Sequence, residues 1–166
     1  MEILSSIILR PIRIEDYNYV LNWSRDEAFC LANDWEINRN EKDVYAWWVH
    51  CVTTDFKNFN RIGIEYEGRL IGYVDVVLIN DVTAEIGIAI GERNLWGRGI
   101  GTSSILKLME YASKELGIKI FKAETHEANT RSRSMLEKIG FREIDRDGTD
   151  NYLGLDSCLI RYKLHI

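Results

Sequence analysis

The sequence predicts an α/β fold in which a mixed, mostly antiparallel twisted sheet is flanked by helices on both faces. Three observations carry that expectation. Three consecutive strand-like stretches, Arg61 to Tyr66, Leu70 to Ile79 and Thr83 to Ile90, are separated by the turn residues Glu67-Gly68-Arg69 and Asn80-Asp81, as in an antiparallel meander. From Gly99 the apolar spacing changes from the period of a strand to that of a helix. No internal repeat or linker interrupts the chain, so its 166 residues are expected to form one domain, 1–166.

The first strand is expected over Ile7 to Ile14. It holds the one proline, Pro11, which lacks the N–H a central strand must donate and so belongs on an edge. Glu15 and Asp16 open a helix to about Ser24, with Tyr17, Val20 and Leu21 at i, i+3 and i+4. A polar loop carries Asn33-Asp34-Trp35-Glu36. A second helix runs from about Glu41 to Val52 with Val44, Trp47, Trp48 and Cys51 on its apolar side, and Trp23, Trp47 and Trp48 read as core. After the meander, Ile105, Leu108, Met109, Ala112 and Leu116 share one face of a long helix that Gly117 closes. Lys119 to Glu124 is a short strand and Thr130 to Ile139 a helix stopped by Gly140. Phe141 to Ile144 and Ser157 to Leu164 finish the sheet, giving the order β-α-α-β-β-β-α-β-α-β-β.

Composition bounds the function. Apolar residues make up 46% and charged residues 28%, enough to bury a core. Twenty-one Lys and Arg against 26 Asp and Glu give a net charge of −5 with no basic block, the opposite of what a nucleic-acid binder shows. The acidity is compatible with a cationic partner. No apolar run approaches the ~18 residues of a membrane span, and the first residues carry no basic start or cleavage site, so a cytoplasmic location without membrane contact is expected. Cys30, Cys51 and Cys158 are odd in number and widely spaced, as reduced thiols are. His50, His126 and His165 stand near no cysteine pair of ligand spacing, so no metal is expected.

Four of the 12 glycines fall between Gly91 and Gly101, and the last three alternate in Gly97-Arg98-Gly99-Ile100-Gly101, directly after a strand and opening the long helix. Such a run lets several N–H groups converge on one point, and the helix start adds free N–H groups and a partial positive charge. Together they make a cradle for a phosphate or pyrophosphate, to which Arg98 adds a charge-assisted contact. A nucleotide-binding P-loop needs a lysine that Gly101-Thr102-Ser103 lacks. A dinucleotide fingerprint needs glycine at Thr102 and an all-parallel unit.

A second constellation, Asn129-Thr130-Arg131-Ser132 followed by Glu137-Lys138-Ile139-Gly140-Phe141, stands about 30 residues later. The glycine-rich helix start after a meander, with N-x-x-S-x-x-x-x-E-K-x-G-F behind it, resembles the GNAT superfamily of N-acetyltransferases over residues 7–164. Leu9-Arg10-Pro11 and Trp96-Gly97-Arg98-Gly99 most resemble its ribosomal-protein N-terminal acetyltransferase branch. The resemblance implies a GNAT-like fold, acetyl-CoA as co-substrate, no metal, and direct attack by a primary amine, small or at a protein N-terminus, in a ternary complex formed by a monomer or homodimer. It also implies that Ile88, Ala89 and Ile90 offer backbone groups to the pantetheine arm. By the same likeness Gly97, Arg98, Gly99, Ile100, Gly101 and Thr102 hold the pyrophosphate, and Asn129 contacts the cofactor near its reactive end. Two positions depart from the family's habit: Trp96 stands where Gln or Arg is frequent, and Leu136 where a tyrosine commonly protonates the leaving thiolate.

Acetyl transfer needs a neutral amine, and an α-amino group (pKa ~8) loses its proton more readily than a lysine-like one (~10.4). Glu85 is the candidate base: it shares a strand face with the small Gly87 and Ala89, which leave room for a ligand. Its alternative is a solvated strand-end charge. Ser132 is the candidate proton donor, with helix capping as its structural alternative. Asp75, inside an apolar strand, is either ion-paired or part of the acceptor site. Trp35 and Glu36, with Asp34, form either an attractor for a cation or a solvated loop around a packed tryptophan. Tyr152 is expected to line the same region. A non-catalytic module that senses acyl-CoA is the alternative reading of the whole.

Overall fold

A computed structural model describes residues 6–166. Seven strands form one mixed sheet: β1 (Ile8–Pro11), β2 (Phe59–Tyr66), β3 (Arg69–Leu78), β4 (Thr83–Ile90), β5 (Ile120–His126), β6 (Arg142–Tyr152) and β7 (Leu155–His165), in the spatial order β1-β2-β3-β4-β5-β7-β6. Only β4 and β5 run parallel; every other neighbour pair is antiparallel. Among the described residues five α-helices complete the order: α1 (Tyr17–Ser24), α2 (Glu27–Ala32) and α3 (Glu41–Thr53) before the meander, α4 (Ile100–Leu116) after β4, and α5 (Thr130–Ile139) after β5. None of the helices described is long and apolar enough to cross a membrane.

Alternation along the strands divides the apolar residues between two cores. Ile86 of β4, Val74 and Val76 of β3 and Phe121 of β5 pack against Ile105, Leu108 and Ala112 of α4 and Leu136 of α5. On the other face, Tyr73 and Ala89 meet Val20 and Trp23 of α1, Phe29 of α2 and Trp48 of α3. The helices thus cover both faces as the sequence predicts. Trp23 and Trp48 are buried, and Trp47 packs against them half-buried. Arg10 ties the edge strand to the first helix by a bidentate pair with Asp16 (2.8 and 2.9 Å). Its guanidinium also meets Glu65 of β2 at 2.5 Å.

Three elements differ from the sequence expectation. The first strand is shorter, because Ile14–Asp16 turn into a single 3-10 segment that leads into α1. A short helix, α2, stands where no helix is expected; Asp26 caps it by accepting from the N–H groups of Ala28 and Phe29. At six residues it is too short to show a periodic face. The last hairpin extends to Tyr152 and Leu155, joined by Leu153 and Gly154, both at positive φ, as a two-residue hairpin turn requires. All of β6 except Tyr152 is exposed, so its sequence carries no alternation to read.

A bulge between β2 and β3 places Ile71 as the extra residue beside Gly72. A Cβ on Gly72 would lie 2.2 Å from the carbonyl oxygen of Ala89 on β4. That contact is backbone, and no side-chain rotation relieves it. Gly72→Ala is therefore expected to destabilise the protein by about 1–3 kcal/mol, the range for forced overpacking. Equilibrium unfolding in urea, compared with the parent, measures it.

Candidate active site

β4 and β5 pair only through Thr83↔Ile120, Ala84↔Phe121 and Glu85↔Lys122. Beyond that point they fork: β5 continues to pair with β7 as far as His126↔Leu159, and β4 keeps β3 alone. The β3–β4 ladder is anchored by Ile79 N–H to Thr83 O (2.9 Å) and Gly91 N–H to Ile71 O (2.7 Å). Backbone groups alternate sides along an antiparallel strand. Ala89 therefore turns its backbone to β3, while Ile86, Ile88 and Ile90 turn theirs into the fork. The carbonyl of Ile90 is satisfied by the indole N–H of Trp96 at 2.8 Å. A strand edge inside the protein whose polar groups lack strand partners is a place for a ligand to pair.

Two adjoining cavities occupy the fork. The first, ≈ 300 Å³, is lined by Ile88, Ile90, Gly97, Gly99, Gly101, Thr102, Asn129 and Ser132. Gly97 and Gly99 have φ of +75° and +84°, with nothing within 4 Å of where a Cβ would stand. Gly99 is the N-cap of the 17-residue α4, and the first ladder bond is Ser103 N–H to Gly99 O. The N–H groups of Ile100, Gly101 and Thr102 are thus left for an anion, with the helix dipole behind them. Arg131 and Lys138 of α5 line the same cavity, and the Arg131 guanidinium lies 4.2 Å over the Trp96 ring. Trp96 therefore holds a cation at the cradle in place of the residue the family often has there. Arg98 is exposed and lines neither cavity, and the Ile100 side chain is core.

The second cavity, ≈ 310 Å³, passes through the sheet. Ile86, Ile88, Ala123, Met135 and Leu136 reach it from the α4–α5 side. Asp34, Glu124, His126 and Asp150 line it on the side of α2 and the β6–β7 hairpin. Asn129 and Ser132 border both cavities. The Asn129 side-chain oxygen caps α5 by accepting from Ser132 N–H (3.1 Å), which leaves its amide N–H groups and the Ser132 hydroxyl for the cavities. Burial pushes the phenol of Tyr152 up, and its ring stacks on His126 at 4.9 Å.

The remaining residues singled out in the sequence are dispersed. Glu85 is exposed at the paired base of the fork and lines neither cavity. Trp35 packs edge-on against Phe29 and Trp47 (4.9 and 5.0 Å), and Glu36 is exposed. Asp75 is ion-paired: Arg61 grips it with two bonds of 2.8 and 2.9 Å, and the guanidinium sits 4.1 Å over Tyr73. Burial pushes the thiols of Cys30 and Cys51 up, away from the thiolate a nucleophile needs. A groove of ≈ 880 Å³ lies between β1–β2 and the later turns of α4 and includes none of the glycine loop. Sequence reasoning missed Arg131 and Lys138, although their i, i+7 spacing with Met135 between marks one face of α5. It missed Glu124, His126 and Asp150 too, and no local pattern joins those to the loop.

Comparison with known proteins agrees with this geometry. The acetyltransferase (GNAT) domain family matches residues 6–142. An N-acetyltransferase 9-like protein of Nematostella vectensis is 38% identical over 152 residues, 84% of this chain and 76% of that protein. An uncharacterized protein of Methanocaldococcus jannaschii is 30% identical over 159 residues, 89% of this chain but 30% of the relative. The chain spans 30%, 41% and 57% of the length of three of the curated relatives it matches. A spermidine N-acetyltransferase of Vibrio cholerae, solved with CoA and spermine, superposes with a TM-score of 0.81 at 18% identity, over 97% of this chain and 96% of that one, and so shares the fold. The forked sheet, the glycine cradle and the family match together make this chain a member of the GNAT acetyltransferase domain family.

Proposed function

We propose that the chain transfers the acetyl group of acetyl-CoA to the nitrogen of a primary amine, by direct attack in a ternary complex. One observation carries the reading: the cavity in the fork runs through the sheet, with an anion cradle and cations at one end and carboxylates at the other. A polyanionic donor and a cationic acceptor are thereby drawn to opposite faces and meet between β4 and β5.

The residues present fit the donor. The N–H groups of Ile100, Gly101 and Thr102, with Arg131 and Lys138, would hold its phosphates. Backbone groups of Ile88 and the free N–H of Ile90 would pair with the amides of its pantetheine arm as a further strand would. Asn129 and Ser132 would stand where the arm crosses the sheet. The group itself supplies an activated acyl thioester, so no residue of the chain need become acylated. On the acceptor side, Asp34, Glu124 and Asp150 raise the local concentration of a cationic amine. Relatives named as spermidine and ribosomal N-acetyltransferases fit an amine acceptor of that kind. Of Trp35, Glu36 and Tyr152, the acceptor residues expected from the sequence, Trp35 would hold the loop that carries Asp34 and Tyr152 would back His126, while Glu36 is exposed and lines neither cavity. Leu136, a buried alkyl group in place of an acid, favours the second reading, a module that binds acyl-CoA without turnover.

Binding and turnover separate the two. Acetyl-CoA is expected to bind in calorimetry and to release CoA thiol when amines are added; thiol release that never exceeds the blank across a broad amine panel leaves the sensor. Gly99→Val would force a β-branched residue to φ +84° and place its side chain in the open cradle. Acetyl-CoA affinity is expected to fall at least about tenfold, or about 1.4 kcal/mol, and unchanged affinity would reject the cradle. Glu85→Gln tests the candidate base read from the sequence: a loss of turnover that is steepest at low pH, where the amine most needs help to lose its proton, would assign it that role. An unchanged pH–rate profile removes Glu85 from the reaction.

A further inference from the structure

The acceptor end of the fork holds a side chain that the reading above does not use. His126 is the last residue of β5 and lines the cavity that crosses the sheet. Its Nδ1 is the one buried side-chain nitrogen or oxygen among the described residues without a hydrogen-bond partner. A buried polar atom left unpaired costs about 1–3 kcal/mol, and a fold tolerates that where a ligand completes the bond. Tyr152 stacks on the ring at 4.9 Å and 24°, which holds the plane of the imidazole. Among the described residues, no other that lines the cavity has a buried side-chain nitrogen or oxygen without a partner.

The surroundings favour a cation. Asp34 from the loop after α2, Glu124 from β5 and Asp150 from β6 line the same cavity. Glu124 is partly neutralised by Arg161 of β7 at 3.3 Å. Tyr152 lies across the ring with its phenol pushed up by burial, and Arg131 acts on that phenol from the cofactor side. The rim around His126 is thus net acidic, and the cavity it draws an ammonium into is lined by the residue that carries the unpaired nitrogen.

We propose that His126 is the residue that receives the acceptor amine, Nδ1 accepting first its hydrogen bond and then its proton. The proposal rests on the acetyltransferase reading. The proton passes from the ammonium nitrogen to Nδ1, which frees the nitrogen lone pair. That pair forms the C–N bond to the thioester carbonyl carbon, and the C–S bond breaks with its electrons going to sulfur. The second proton of the attacking nitrogen ends on the thiolate. The imidazolium returns its own proton to water through Nε2, which is not among the buried unpaired atoms. One ammonium and one thioester thus give one amide, one thiol and one proton.

His126→Asn keeps a hydrogen-bond acceptor near Nδ1 without a base, and His126→Phe keeps a stacked ring without a nitrogen. Both are measured for thermal unfolding, acetyl-CoA affinity by calorimetry, and kcat against pH with spermidine and with a short peptide bearing a free N-terminus. Both are expected to bind acetyl-CoA within about twofold of the parent. Their kcat should fall ~10²-fold, the lower range for losing a positioned base, with the steepest loss at low pH. In His126→Asn the KM for the amine should change less than in His126→Phe. In the parent, with no acetyl-CoA present, the ¹⁵N resonance of His126 Nδ1 should move on adding whichever probe is turned over. A kcat within about threefold of the parent, an unchanged pH profile, or an Nδ1 resonance unmoved by a substrate amine overturns the proposal. So does loss of the low-pH limb in Glu85→Gln alone. A parent that binds acetyl-CoA but acetylates neither probe nor any amine of a broad panel overturns the acetyltransferase reading, and the proposal with it. Variants that do not fold leave the resonance of the parent as the deciding measurement.

Discussion

The parting of β4 from β5 after three paired residues is the constraint on which the rest of the structure depends. Parallel neighbours in a sheet normally pair along their whole length, because an unpaired backbone group away from water is costly. Here β5 spends its pairing on β7 across seven residues, and β4 spends its own on β3. The cleft-side groups of Ile88 and the N–H of Ile90 are then unmet, while the Trp96 indole reaches the Ile90 carbonyl. The same parting breaks the wall between two cores that the sheet otherwise keeps apart. It therefore creates both a ladder for a ligand and a passage from one face to the other.

Charge is sorted along that passage. The net charge of −5 says little by itself. Its distribution says more: Arg131 and Lys138 stand with the α4 N-terminus on one side, while Asp34, Glu124 and Asp150 stand on the other. Solvent screens exposed charges beyond roughly 8 Å at physiological salt, but walls of low dielectric focus the field inside a cleft. The two cavities therefore act as separate electrostatic environments although they adjoin. Trp96 joins β4 to α5 at the cradle, since its indole N–H meets the Ile90 carbonyl and its ring face carries Arg131.

Much of the fold was legible because its elements alternate or repeat locally. Ile105, Leu108, Met109 and Ala112 mark α4, and the meander shows in its turns. The short α2 and the part of β6 beyond Ile144 were not, since six residues show no period and an exposed strand shows no alternation. The glycine loop was legible for the same local reason, being contiguous with the helix it opens. The acceptor wall was not, because it brings together positions 34, 124, 126 and 150 from a loop and two strands. The loop around Trp35 illustrates the limit. Composition singled out Trp35 and Glu36, yet the left-handed turn at Asp34 (φ +56°) puts Asp34 in the cavity and Trp35 among aromatic rings.

Leu136 follows from the same geometry. It is 3% exposed, belongs to the core and also lines the crossing cavity, so an apolar group stands where the family commonly offers a proton donor. The two proton transfers of the proposed reaction are not equally demanding. An amine of pKa ~8 to ~10 arrives protonated at neutral pH, and nothing in the thioester can take that proton, so the first transfer needs a base supplied by the chain. Once the C–N bond has formed, the nitrogen carries a positive charge next to an electron-poor carbon and is strongly acidic. A departing thiolate of ordinary basicity, pKa ~8.5, is then a good acceptor for it. The second transfer runs downhill from the acceptor itself, with the Ser132 hydroxyl on the same cavity as a hydrogen-bond donor to sulfur. Loss of the tyrosine is therefore tolerable where loss of the base would not be. The chemistry puts its demand on the acceptor side of the fork, where His126 stands unpaired.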